Sequence, residues 1–200
     1  MGYTRKALAT RGRILDAAAE LIFSKGFNAT KLLEVLTASN VQKGNFYYYF
    51  ASKEDLGLAV IHERGGEMIA GWMEKAIDPK ANPWVNIKAL ASAIAGSSSP
   101  SKAGRTPVAI LALERSELSA DFCQAIGEML DVVVAGIANE FARLREMGKL
   151  ATDMDPQLLA RLVFGIVEGA LLSYRSIRNY SAFESLVGLG LECIKARALK

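Results

Sequence analysis

A chain of 200 residues that is 51% hydrophobic and has five prolines can build a sizeable core, and it has few of the breakers a turn-dense β fold needs. The formal charge is only +3, yet the whole excess sits at one end: residues 1–56 hold eight basic and five acidic side chains, and the remainder balances. The start lacks the apolar stretch of a secretory leader, no run of about eighteen apolar residues stands out, and the two cysteines, Cys123 and Cys193, lie far apart. These features argue against a disulfide-stapled secreted domain and a membrane span, and predict a cytoplasmic protein whose cysteines are small buried hydrophobes.

In chain order, residues 1–10 read as a basic arm, whose charge, Arg5 and Lys6, continues into Arg11. A first helix is expected over 11–25, where Ile14, Ala18, Leu21 and Ile22 recur at helical spacing, with Gly26 as its C-cap. Phe27 follows, to pack under the turn. Thr30 is the expected N-cap of a second helix, although no acidic residue stands three positions on to close a capping box. That helix, with Leu32, Val35 and Leu36, must end near Asn40, which adopts the left-handed conformation more readily than most non-glycine residues.

The segment 42–48 is too short and too polar for a free-standing amphipathic helix. Val41, Phe46 and Phe50 are left to face a core, while Gln42, Lys43, Gly44, Asn45, Tyr47 and Tyr48 lie on the other side. Two short helices joined by a tight turn, the second dense in hydrogen-bonding groups, outline a helix-turn-helix. The inventory suits duplex DNA. Lys43 can meet a phosphate, Gln42 and Asn45 can reach base edges, and a tyrosine offers a hydroxyl for phosphate and a ring for a thymine methyl. Gly44 lets the backbone approach another surface. Thr30, Lys31 and Lys53 stand at helix starts, where anions are favoured, and complete the predicted DNA-binding set.

The stretch 13–60, with ILDAAAELIFSKGFNAT followed by VQKGNFYYYFASKEDLGLAV, resembles the N-terminal domain of the TetR family of transcriptional regulators. KGNFYYYFASKEDL carries most of the likeness, and Asn40 and Gln42 depart from the commoner glycine and serine. The resemblance implies an all-α protein of about nine helices. It also implies a three-helix DNA-binding domain over 1–56, a ligand-binding and dimerisation domain over 57–200, a palindromic operator read by a homodimer, and release by a small molecule. It implies a four-helix dimer interface as well, two helices from each chain.

Beyond this stretch, Ser52 and Asp55 form a capping pair that opens a fourth helix, expected to run to about residue 76. Asn82-Pro83 and Asp155-Pro156 each pair an N-cap with proline at the first helical position. A serine-rich loop is expected over 96–104, then helices over 105–119, 121–147, 156–178 and 182–197. The last two are apolar on more than one face, with Leu158, Leu162, Leu172, Leu186 and Leu189 among many. A helix apolar nearly all round is buried on both sides, and a second copy of the chain is a natural cover for residues about 155–197. Gly165, Gly169, Gly188 and Gly190 would let helices approach closely.

Catalytic patterns are lacking. The single histidine, His62, has no metal-ligand neighbours in sequence, no phosphate loop or nucleophile elbow occurs, and Asp153 and Asp155 read as capping residues. No cofactor, metal or catalytic residue is predicted. A ligand pocket is expected in the C-terminal domain, with Met68, Trp72, Phe122, Ile126, Phe164, Glu168 and Leu171 as its candidates and Glu114, Tyr174 and Arg175 as further polar groups among apolar residues. Two other classes are a helical interaction protein with a vestigial helix-turn-helix and a small-molecule-processing helical enzyme. A gel shift separates the first, and turnover of a bound compound the second.

Overall fold

Thr4 opens the first helix. Its hydroxyl accepts from Ala7 N at 3.3 Å, and α1 runs over Arg5–Lys25. The expected arm is therefore mostly helix: Arg, Lys, Ala and Leu are strong helix formers, and a capped start lets them continue. The computed structural model describes residues 4–96, 111, 114, 118–177 and 179–200, the side chains of 175 and 177 excepted. All of the expected loop over 96–104 but Gly96, most of the expected helix over 105–119, and the Arg175 side chain lie outside these. Among the described residues all regular structure is helical, apart from one isolated bridge between Leu150 and Leu199.

Glycine at 26, with φ 95°, turns the chain out of α1. The second helix, α2, covers Leu32–Ser39 and is capped one residue later than expected. The Glu34 carboxylate accepts Lys31 N at 2.8 Å, so the acidic residue that Thr30 lacks is present for Lys31. Thr30 turns inward, 1% exposed, and donates its hydroxyl to Gly26 O at 2.7 Å. Asn40 ends α2 at φ 53°, ψ 49°, as expected for a left-handed cap. The third helix, α3, is Lys43–Phe46, followed by a turn over 47–49.

Ser52 caps α4, Lys53–Ala59, by accepting Asp55 N at 3.0 Å. The expected single helix to residue 76 continues through a π-helical turn, Val60–Gly65, into α5, Gly66–Ala76. A π turn admits an extra residue into the helical register. Here it presents Glu63 to Arg11 and Arg64 to Asp16, two ion pairs with α1 at 2.5 and 2.8 Å. Helix α6 is Pro83–Ala95, started by Asn82 accepting Trp84 N at 3.0 Å. Then come α7, Ala120–Glu146, α8, Pro156–Ile177, and α9, Tyr180–Ala198. Asp155 caps α8, and Asn179 starts α9 two residues earlier than expected.

The chain divides into two compact units, Met1–Met68 with Pro107–Met129, and Ile69–Thr106 with Leu130–Lys200. In the first, Ile14, Leu15, Ile22, Phe46, Leu56 and Ile61 form a core that Phe122 and Ile126 complete from the start of α7. The Phe27 and Phe122 rings lie 4.5 Å apart. In the second, Ile87, Leu90 and Ile94 of α6 join Val133, Ile137 and Phe141 of α7 and Val163 and Val167 of α8. Buried Glu140 is satisfied by Asn86 at 2.9 Å and Arg143 at 2.7 Å, as a carboxylate out of water requires. Gly190 lets α9 close on α8: a Cβ there would lie 2.6 Å from Ile166. Ala151 N donates to Ala198 O and Lys200 N to Lys149 O, pinning the last residues, and Arg197 pairs with Asp153 at 2.7 Å. Asp153 is thus an ion-pair partner, not a cap.

One expectation is corrected here. Cys193 is exposed and Cys123 half-buried, so neither is a buried hydrophobe. Over Pro156–Tyr174, α8 is long and apolar enough to cross a membrane, with mean hydropathy 1.3 and 33% of that stretch buried inside the protein. It passes because it is apolar on two faces, one covered by the second unit and one open.

Candidate nucleic-acid interface

The short helix α3 is held by its apolar side. Phe46 is fully buried with Val41 and Phe50 beside it, and the Phe46 ring lies 5.7 Å from Phe50 and 5.2 Å from Tyr47. Burying an aromatic on so short a helix fixes the direction of everything opposite. Gln42, Lys43, Gly44, Asn45, Tyr47 and Tyr48 are all exposed as a result, Tyr47 by 51% and Tyr48 by 65%. A Cβ built at Gly44 meets nothing within 4 Å, so the backbone there is open to close approach. Six of the nine predicted DNA-binding residues thus form one exposed polar surface, and Lys31 is exposed as well.

The other two face inward. Besides Thr30, half-buried Lys53 donates from Nζ to Phe27 O at 2.7 Å, and its ammonium lies 4.1 Å from the Phe27 ring centre. Burial lowers the Lys53 pKa, and the Glu114 carboxylate opposes that shift. Both residues brace the 26–30 loop that carries α2. Glu114 is the third brace, accepting Phe27 N at 2.7 Å and Asn28 N at 3.2 Å. Sequence reasoning placed it in a pocket. Its partners are 87 and 86 residues away, and no local pattern announces them.

Arg11, predicted with the arm, is instead held by Glu63 and stacked 5.2 Å from the Phe50 ring centre. Its guanidinium keeps the Glu63 carboxyl below the usual range, more than desolvation raises it. Lys25 and the Lys31 amide do the same for Glu34. Arg5 and Lys6 stay exposed on the first turn of α1, and His62 is exposed on the π turn. Among the described residues no cluster of ligating side chains could hold a metal ion.

The seven ligand-site candidates divide between the two units. Phe122 and Ile126 are core of the first unit, to which Met68 also belongs, while Leu171 is core of the second. Phe164 and Glu168 are half-buried on α8, and Trp72 lines a cleft of the second unit. The tail helices leave an open apolar stripe: Leu158, Leu162 and Leu172 on α8, Leu186 and Leu189 on α9. Gly165 and Gly169, spaced between those leucines, are exposed and meet nothing.

Residues 14–60 match the sequence profile of bacterial regulatory proteins of the tetR family. The transcriptional regulator AcuR of Cereibacter sphaeroides is 30% identical over 161 residues, covering 80% of this chain and 73% of AcuR. An uncharacterized HTH-type transcriptional regulator in the lacX 3' region of Lactococcus lactis is 27% identical over 177 residues, 88% of each protein. The crystal structure of reduced NemR from E. coli superposes with a TM-score of 0.79 at 25% identity, over 90% of this chain and 95% of NemR.

Proposed function

This chain belongs to the TetR family of ligand-responsive, DNA-binding transcriptional regulators, and on that premise we propose that its α3 surface reads a palindromic operator as a homodimer that represses transcription until a small molecule releases it. The observation that carries the reading is the division of α3 and its flanks into a buried apolar side, Val41, Phe46 and Phe50, and an exposed side of Gln42, Lys43, Gly44, Asn45, Tyr47 and Tyr48. A major groove accepts a rod of that size, Lys43 and the tyrosine hydroxyls serve phosphates, and Gln42 and Asn45 serve base edges. Lys31 supplies a further phosphate contact, and Thr30 and Lys53 act indirectly, by bracing the loop from which α2 springs. The DNA-binding domain includes at least residues 4–56, and the compact unit around it also draws on the start of α7.

The dimer forms through residues about 155–197. The apolar stripe of α8 and α9 supports this, since on α8 Leu158, Leu162, Gly165, Gly169 and Leu172 recur every three or four residues and the exposed glycines allow a second helix close in. A two-fold pair presents its readers about 34–36 Å apart, or a multiple of that, so the half-sites should repeat at one or more helical turns. The protein works in the cytoplasm, where its operator is. Selection of bound fragments from a random duplex pool tests the reading. Recovery of an inverted repeat with that spacing is the expected result, and enrichment of no duplex over the starting pool would overturn it.

A further inference from the structure

We propose that the cleft between α5, α6 and α9 is a binding site for a small amphipathic anion, a carboxylate on an apolar tail, and that this anion is the effector. The second half rests on the function proposed above; the first does not.

The cleft lies wholly within the second unit and has a volume of about 760 Å³, within the range of small-molecule sites. Trp72, Phe183 and Leu191 give it apolar walls. Room exists because the facing helices present Ala89 and Ala93 on α6 and Gly188 on α9, where larger side chains would fill the gap. Apolar walls alone would fit many ligands. The charge narrows the choice. Lys75 and Lys88 line the cleft from different helices, both are exposed, and among the described residues neither forms an ion pair. One carboxylate, Glu184, lines it too and accepts from the Tyr180 hydroxyl, so the lining carries two positive charges against one negative.

Two ammonium groups beside an apolar wall set the preference. An anion with a hydrocarbon body satisfies both surfaces at once. A neutral molecule of the same length gains only the wall, and a cation is repelled. This cleft shares only Trp72 with the residues that sequence reasoning assigned to a ligand. The signal missed was Lys88 followed by the small residues Ala89, Ser92 and Ala93, which read in sequence as an ordinary solvated helix face.

Three ten-carbon probes test the ligand class on the full-length protein: decanoate, decanol and decyltrimethylammonium. Displacement of anilinonaphthalenesulfonate and quenching of tryptophan emission report occupancy. Decanoate is expected to bind at least about 10-fold more tightly than either of the others, and the K75Q/K88Q variant should bring it down to the level of decanol. The A93F variant should weaken decanoate and decanol together by filling the cleft; K75Q/K88Q, altered only at exposed positions, decides the matter if A93F fails to fold. Equal affinity for the three probes, or unchanged decanoate affinity in the lysine variant, overturns the site. The effector half is read separately, on the selected operator. Decanoate should lower operator affinity in the wild type and have at least about 10-fold less effect on K75Q/K88Q. Tight decanoate binding with unchanged operator affinity overturns the effector half alone. Absence of any operator binding overturns the regulator reading and leaves the anion measurement standing.

Discussion

The α3 surface and the α8–α9 hairpin both hold side chains out of their own cores, and they do so with opposite chemistry. Around α3 a fully buried phenylalanine is paired with exposed Lys43, Asn45 and tyrosine. On the hairpin the buried side is Val163, Val167 and Leu191, and the exposed side is again leucine. Water solvates the first surface well and the second poorly, so only the second gains by being covered. The contrast supports the two partners proposed. A polar surface that stays hydrated when alone suits a hydrated polyanion, and a leucine stripe suits an identical stripe.

The assignment breaks most visibly at the hairpin. Leu162→Arg combined with Leu189→Arg alters residues that are 50% and 67% exposed, so the chain should fold while the stripe no longer closes on a copy. Sedimentation should show a monomer, and operator affinity should fall by roughly 100-fold or more, because two half-sites are no longer held by one particle. A double variant that still sediments as a dimer would move the interface elsewhere. Next in size is Phe46→Ala, which deletes the anchor that aims α3. A fully buried phenylalanine typically costs about 3–5 kcal/mol when cut to alanine, read by urea unfolding. Its effect on stability should far exceed that of any change on the exposed face, which is the sharper form of the comparison.

On that face two substitutions should separate. Asn45→Ala is expected to cost about 1–3 kcal/mol on the selected operator and nearly nothing on random duplex, measured by fluorescence anisotropy. Lys43→Ala should weaken both alike and lower the salt slope by about one unit. If Asn45→Ala lost equally on both duplexes, that side chain would be a phosphate contact and α3 would sit in a different register on the groove.

Much of this was legible because it is local. Asn40 as a left-handed cap, Ser52 accepting from Asp55 N, and the Asn82-Pro83 and Asp155-Pro156 starts each need only residues a few positions apart, and each formed. The exposed side of α3 followed from the same spacing. What stayed hidden depends on distance or on small energetic preferences. Glu114 reaches Phe27 and Asn28 from another part of the chain, and Lys53 is drawn inward by Phe27 O, so a lysine that looked ready for phosphate is a brace. The π turn leaves the apolar pattern of the helix nearly unchanged, so its register slip could not be read from periodicity. The ligand candidates divide between the two units for a related reason: apolar residues at helical spacing report burial, and burial says nothing about which residues leave a gap.

The smallest expected effect concerns how α1 is held behind the reader. Glu63, on the π turn, has its carboxyl held below its ordinary value of 4.5, chiefly by the hydrogen bond from Arg11, with burial working against it. A carboxyl whose pKa is depressed on folding stabilises the folded state fully above its unfolded value, and the contribution is lost as pH falls through the depressed folded one. Glu63→Gln should therefore be less stable than wild type at neutral pH, and the gap in Tm should close on acidification below about 4.5. The gap itself should be small, since the carboxylate side chain is 38% exposed and water screens the pair. Thermal melts of the two proteins at about pH 7 and about pH 3 decide it, with the difference between the proteins as the readout because Glu34 and Asp153 titrate alike in both. A gap that persists undiminished at about pH 3 would mean that Glu63 holds α1 through packing and not through its charge.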